Sequence, residues 1–209
     1  MAEKKRGFVV GVGMSKFYKP QKDPADGPHY PELAKTAVTR AITDACISAD
    51  QIEQAVVGNM FAGGGAGQRS LYAMGIFDIP IYNVANACAT GSNALFLARQ
   101  FVQGGLNQCV LALGVEKMKP GALGGDGAPV GPTMLDMHAS VMFGKFDFAP
   151  APLMPQFFGN AGREHMEKHL QRAPNPHPPD KHSLLTRRLR RISLQVMRFE
   201  PDQVLVQKG

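Results

Sequence analysis

Cys88 is the residue in this sequence best placed to do covalent chemistry. It stands in Asn83-Val84-Ala85-Asn86-Ala87-Cys88-Ala89-Thr90-Gly91-Ser92, where a strand-like pattern gives way to a helical one. A thiol at a helix amino terminus feels the positive end of the peptide dipole, which favours the nucleophilic thiolate. The neighbouring residues are small and leave room for a substrate. Cys46, on a helical pattern, and Cys109, in a strand-like one, lack that setting and read as packing residues. The histidines, at 29, 138, 165, 169, 177 and 182, are remote from Cys88 in sequence, so only the fold can bring one to it as a base. His165 and His169 share a helix face at a spacing that can bind metal, but the glutamate and third-ligand pattern of a metal site is missing. No metal site is expected.

Two glycine motifs are weak. Gly11-Val12-Gly13 follows a strand-like run, but Lys16 stands where a dinucleotide fingerprint needs its third glycine, and Lys19-Pro20 opposes a helix there. Gly67-Gln68-Arg69-Ser70 lacks the Gly-Lys pair of a phosphate loop and reads as a loop closing over a helix start.

The elements that must position Cys88 alternate between strand and helix. Short apolar runs at 8–13, 55–60, 81–86 and 109–113 predict strands, the first of them buried. Leu33, Ala34, Ala37, Val38, Ala41, Ile42 and Ala45 recur at helical spacing, and helices are also expected at 69–74 and 91–103. This order predicts an α/β layered domain with helices around a mainly parallel sheet. The 91–103 helix carries a wide apolar surface (Ala94, Leu95, Leu97, Ala98, Phe101, Val102), which predicts burial on more than one side and Cys88 at the base of a pocket. Residues 119–170 lose the rhythm and are rich in Gly, Pro, Met and Phe. Only 161–170 reads as clearly helical there.

Composition sets the remaining bounds. In 209 residues, three cysteines without CxxC spacing favour a reducing compartment over a disulfide framework. No apolar run approaches membrane-spanning length, and the start is not that of a signal peptide, so a soluble protein is expected. Residues 171–209 hold eight Lys/Arg against three Asp/Glu and supply five of the six net positive charges. Pro174, Pro176, Pro178 and Pro179 mark a linker and a boundary near residue 170. Beyond it, Leu185, Leu189, Ile192 and Val196 follow helical spacing, with arginines largely elsewhere on the wheel. A basic helix of that kind can contact an anionic membrane or phosphates. No aromatic stacking platform accompanies it, so nucleic acid is not an expected partner, and a tail without a specific role is favoured.

The segment 80–95, from Pro80 through Cys88 to Leu95, closely resembles the nucleophile region of thiolases, and among them the sterol-carrier-protein X type. Val10-Gly11-Val12-Gly13-Met14-Ser15-Lys16-Phe17, Gly67-Gln68-Arg69, Cys109-Val110-Leu111-Ala112-Leu113-Gly114-Val115-Glu116-Lys117-Met118 and the run 155–168 fit as well. The resemblance spans residues 7–170. It implies a thiolase amino-terminal domain at 1–118, part of a loop domain at 119–170, and a tail at 171–209 unrelated to the family.

In that family the cysteine matching Cys88 attacks the keto carbonyl of a 3-oxoacyl-CoA and becomes acylated. A shorter acyl-CoA leaves, and coenzyme A then takes the acyl group as a substrate, with no bound cofactor. The resemblance also implies lipid metabolism, dimers with thiolase subunits and a peroxisomal setting, or a cytoplasmic one if the address lies in the missing part. The family's His-Asp-Cys-Phe or Asn-Glu-Ala-Phe and Gly-His-Pro motifs do not occur in this chain. The isolated chain is therefore expected to be inactive. The product of a truncated, alternatively spliced or frame-shifted message is one expectation, and a non-catalytic partner of a full-length thiolase or of a membrane is the other.

Overall fold

A computed structural model describes residues 6–18, 27–118, 136–146 and 153–168, and the backbone of 194–198. The chain divides into two compact units, residues 1–117 with 185–209, and residues 118–184.

The first unit is built on a five-stranded sheet. Its elements are β1 (Phe8–Val12), α1 (Tyr30–Ala45), β2 (Gln54–Gly58), α2 (Ala66–Tyr72), β3 (Ile81–Val84), α3 (Thr90–Gln103), β4 (Cys109–Gly114) and, from the tail, β5 (Leu194–Arg198). The strands lie in the order β1-β5-β4-β2-β3. β2 pairs parallel with both β3 and β4, and β5 runs antiparallel between β4 and β1.

Alternation along the central strands divides the core between two faces, because successive strand side chains point oppositely. Ala55, Val57, Cys109, Leu111 and Leu113 meet Ala34, Ala37, Val38 and Ala41 of α1 and Leu71 of α2. Val56, Val110 and Ala112 meet Ala94, Ala98 and Val102 of α3. The result is helices on both sides of a mainly parallel sheet, as expected. Small residues on α1 and α3 bring the helices close to the sheet, and a fully buried Val or Leu stabilises by about 1.5–3 kcal/mol.

Four expectations are corrected. β1 is an edge strand, with Val9 and Val12 exposed, because only β5 pairs with it. Among the described residues, α3 is covered on one side only. Thr90, Ala94, Ala98 and Val102 are buried at a four-residue spacing, while Phe96 is exposed and Leu95, Leu97 and Phe101 are half-buried. Cys46 is not a packing residue. It is an exposed left-handed cap (φ 54°) that closes α1 by donating its N–H toward Thr43. Residues 194–198 form a strand where helical spacing was read. In Ser193-Leu194-Gln195-Val196 the alternation of polar and apolar residues fits a strand equally well, and two open strand edges decide the outcome. Leu185, Leu189, Ile192 and the proline cluster lie outside the described residues.

The second unit contains α4 (Asp136–Phe143) and α5 (Leu153–Lys168). α5 begins earlier than its periodicity suggests, since Pro155 sits in the first turn, where a missing N–H costs nothing. Glu164 accepts from Lys168 at 2.8 Å and from Lys145 at 3.0 Å, tying α5 to the end of α4.

Candidate functional site around Cys88

β2, β3 and β4 are parallel, so their carboxyl ends share one edge of the sheet, where ligands of open α/β sheets commonly bind. Two backbone links and one side chain define that edge. The Asn59 N–H donates to the Val84 carbonyl at 3.1 Å, the Val115 N–H donates to the Gly58 carbonyl at 3.0 Å, and Glu116 reaches across to the loop after β2. The Glu116 carboxylate accepts the Met60 N–H at 2.7 Å and the Phe61 N–H at 3.1 Å.

Cys88 lies in the turn from β3 to α3, two residues before the first helical residue. Thr90 locks the turn. Its hydroxyl accepts the Asn86 N–H at 2.7 Å and donates to the Ala87 carbonyl at 2.6 Å, while the Thr90 N–H also donates to Ala87 O at 3.1 Å. Ala87 takes up the tight reversal at φ 46°, the left-handed region that L-residues other than Asn and Asp rarely adopt. Such local strain is typical of turns that aim a functional group. Gly58 makes the arrangement possible, because a Cβ there would stand 2.8 Å from Thr90 Cγ2 and 3.1 Å from the Thr90 carbonyl oxygen.

The structure overturns the expectation of a buried cysteine. Cys88 is exposed, as are Ala85, Asn86 and Ala89, whereas Thr90 is buried. The reason is the uncovered outer side of α3, which leaves the carboxyl edge of the sheet open. Cys109 is buried among core residues, as read from the sequence.

In the first unit, the described histidine lies outside the Cys88 turn. His29 precedes α1, and His138 and His165 are exposed on α4 and α5 of the other unit. His169, His177 and His182 lie outside the described residues. An open recess of about 410 Å³ is lined by His29, Pro31, Glu32, Arg69 and Ala73, and includes no residue of the Cys88 turn.

Gly67-Gln68-Arg69-Ser70 has a structural job. Gly67 packs against Val57 and Ile81 and gives its N–H to Asn83 Oδ1 at 2.7 Å, and Asn83 Nδ2 donates to Gln68 Oε1 at 2.6 Å. The amide that a phosphate loop would offer to an anion is thus spent on β3. Sequence reasoning passed over Thr90, Gly58 and Glu116. The first had a local signal, a hydroxyl in the first turn of a helix, a position able to bond back to nearby backbone. The other two act across long sequence separations.

Residues 8–124 match the family model described as thiolase, amino-terminal domain. The chain is 49% identical over 166 residues to sterol carrier protein 2 of Gallus gallus, covering 79% of this chain and 30% of that protein. It is 34% identical over 115 residues to an acetyl-CoA acetyltransferase of Methanocaldococcus jannaschii, covering 53% and 28%. The priming β-ketosynthase of the R1128 polyketide pathway superposes with a TM-score of 0.46 at 19% identity, over 56% of this chain and 44% of that one. The chain therefore spans about a third of the length of the sterol carrier protein relative. The family match covers more than half of the chain, so the chain belongs to the thiolase family and carries its amino-terminal domain.

Proposed function

We propose that Cys88 is the acyl-accepting nucleophile of a thiolase-type acyl-CoA acyltransferase. The observation that carries the reading is the exposed thiol between the carboxyl end of β3 and the amino end of α3, in a turn fixed by Thr90. The Cys88 sulfur adds to the keto carbon of a 3-oxoacyl-CoA, and the bond to the neighbouring carbon breaks. That carbon keeps the electron pair, takes a proton and leaves as acetyl- or propanoyl-CoA. The sulfur of coenzyme A then attacks the thioester, giving the shortened acyl-CoA and free Cys88. Fatty-acid or sterol side-chain oxidation, in peroxisomes, is the setting in which we place this chemistry.

Within this reading the isolated chain does not turn over. The His-Asp-Cys-Phe or Asn-Glu-Ala-Phe and Gly-His-Pro motifs of the family do not occur in this chain, and a positioned acid or base typically contributes about 10²–10⁴-fold. Two assays on one preparation test this. Iodoacetamide should label Cys88, and acetoacetyl-CoA plus coenzyme A should yield no acetyl-CoA above a Cys88→Ser control. A normal enzymic rate, or a Cys88 inert to the reagent in the folded chain, would overturn it.

A second reading is favoured by the open face beside α3, where Tyr82 stacks on Phe101 at 5.6 Å and Phe96 is exposed. An apolar face of this kind suits association. The chain then serves as a non-catalytic partner of a full-length thiolase subunit. Mixing with a purified full-length relative should give a co-eluting complex that Phe96→Glu weakens. Independent elution would dismiss it.

A further inference from the structure

We infer that Met60 and Phe61 form the apolar wall for the acyl chain carried on Cys88, and that Glu116 is the residue that positions them. The inference rests on the reading of Cys88 as the acyl-accepting nucleophile. It names what the surroundings of that thiol recognise, the alkyl part of the substrate.

The first support is placement. The Asn59 N–H donates to the carbonyl of Val84 at the end of β3, and Gly58 lies against Thr90. Met60 stands two residues beyond Gly58, and Cys88 two residues before Thr90. Two residues of backbone reach at most about 7 Å, so the apolar pair and the thiol share one corner of the sheet edge.

The second support is the anchor. Glu116, just after β4, accepts the Met60 N–H at 2.7 Å and the Phe61 N–H at 3.1 Å. Hydrogen bonds to an ionised acceptor are among the strong ones. Beyond Phe61 the chain passes Gly63 and Gly65, at φ 86° and 73°, and a Cβ at Gly63 or Gly64 would meet no atom within 4 Å. Packing does not hold that stretch. Its first two residues are held through their backbone, which leaves both side chains available, and both are exposed.

The third support is chemical. Single exposed apolar side chains are ordinary, but two in succession on a loop pinned by a carboxylate make a prepared surface. Methionine adapts its shape to the ligand, and phenylalanine offers a rigid flat face. The Glu116 carboxylate is satisfied by the two N–H groups, so its charge does not work against an apolar chain beside it.

The test uses the full chain and two thiol reagents that differ in alkyl length, N-methylmaleimide and N-octylmaleimide. Peptide mass reads the rate at each cysteine. Cys46, also exposed but at the carboxyl end of α1, is the internal reference. The octyl-to-methyl rate ratio should be about tenfold higher at Cys88 than at Cys46, the effect of burying roughly two methylenes. In Met60→Ser/Phe61→Ser and in Glu116→Ala it should fall toward the Cys46 value. Glu116→Gln, which keeps one acceptor oxygen, should lie between. Phe77→Ser, at an exposed apolar position ahead of β3, should leave the ratio as in the wild-type chain. A general loosening of the fold alters both reagents alike and does not move the ratio. Equal ratios at the two cysteines, or an unchanged ratio in Met60→Ser/Phe61→Ser, would overturn the inference while a labelled Cys88 keeps the nucleophile reading. A Cys88 inert to both reagents overturns that reading and the inference with it. Should Glu116→Ala fail to fold, the Met60→Ser/Phe61→Ser variant decides.

Discussion

Thr90 does more for the Cys88 turn than any other described side chain, and its loss is directly measurable. Thr90→Val keeps the shape but strands the Asn86 N–H and leaves the Ala87 carbonyl with only the Thr90 N–H of its two Thr90 donors. Leaving buried or part-buried partners unpaired costs about 1–3 kcal/mol, which denaturant unfolding would register. Thr90→Ser should restore most of it. Gly58→Ala should be comparably harmful, because its new methyl meets Thr90 and overpacking typically costs about 1–3 kcal/mol. Both variants should also change the alkylation rate of Cys88, whereas a core change on the opposite face, such as Leu71→Ala, should lower stability and leave that rate near wild type. Equal rates in every variant would mean that the turn does not hold the thiol.

Elements are joined here by a few polar links whose partners are distant in sequence. Asn83→Ala removes the acceptor for the Gly67 N–H and the donor to Gln68, loosening α2 from β3. A loss of about 1–2 kcal/mol is expected by the same unfolding measurement. In the second unit, Lys168 and then Lys145 hold the Glu164 carboxyl below the usual glutamate range. A carboxylate with a lowered folded-state value stabilises the fold above its unfolded value, and that contribution disappears as pH falls through the folded one. Helicity measured by circular dichroism should therefore decline on the acid side of the ordinary glutamate range. Glu164→Gln should remove that component, and so should high salt, because the groups are exposed. The start of α5 escaped periodicity because Pro155 hides a helix entrance, and α4 escaped it because Met137, Val141 and Phe143 are exposed rather than aligned on one buried face.

At the scale of the whole molecule, one helix guards one face of the sheet. α3 alone covers Val56, Val110 and Ala112, so truncation there should be costly. Val110→Ala is expected to lose about 1–3 kcal/mol through cavity formation, against little change for Phe96→Ala on the exposed side. The open side of α3 also sets where Cys88 ends up. Apolar residues around much of that helix were legible in the sequence, and they pointed to a second covering layer. Among the described residues of the first unit no such layer is present, and the turn that the motif marked is exposed.

Short apolar runs at 55–60 and 109–113, helical spacing in 33–45 and 91–103, and the motif around Cys88 pointed to a layered α/β domain and its place in the thiolase family. Those signals are local, since burial imposes its period on the residues next to one another along the chain. Tertiary structure alone decided that Cys88 is exposed, that Gly58 makes room for Thr90 of its turn, that Glu116 ties down the loop after β2, and that residues 194–198 close the sheet. Each of these depends on what stands beside a residue in space. A segment such as 194–198, compatible with two periodicities, takes the one whose backbone partners are waiting.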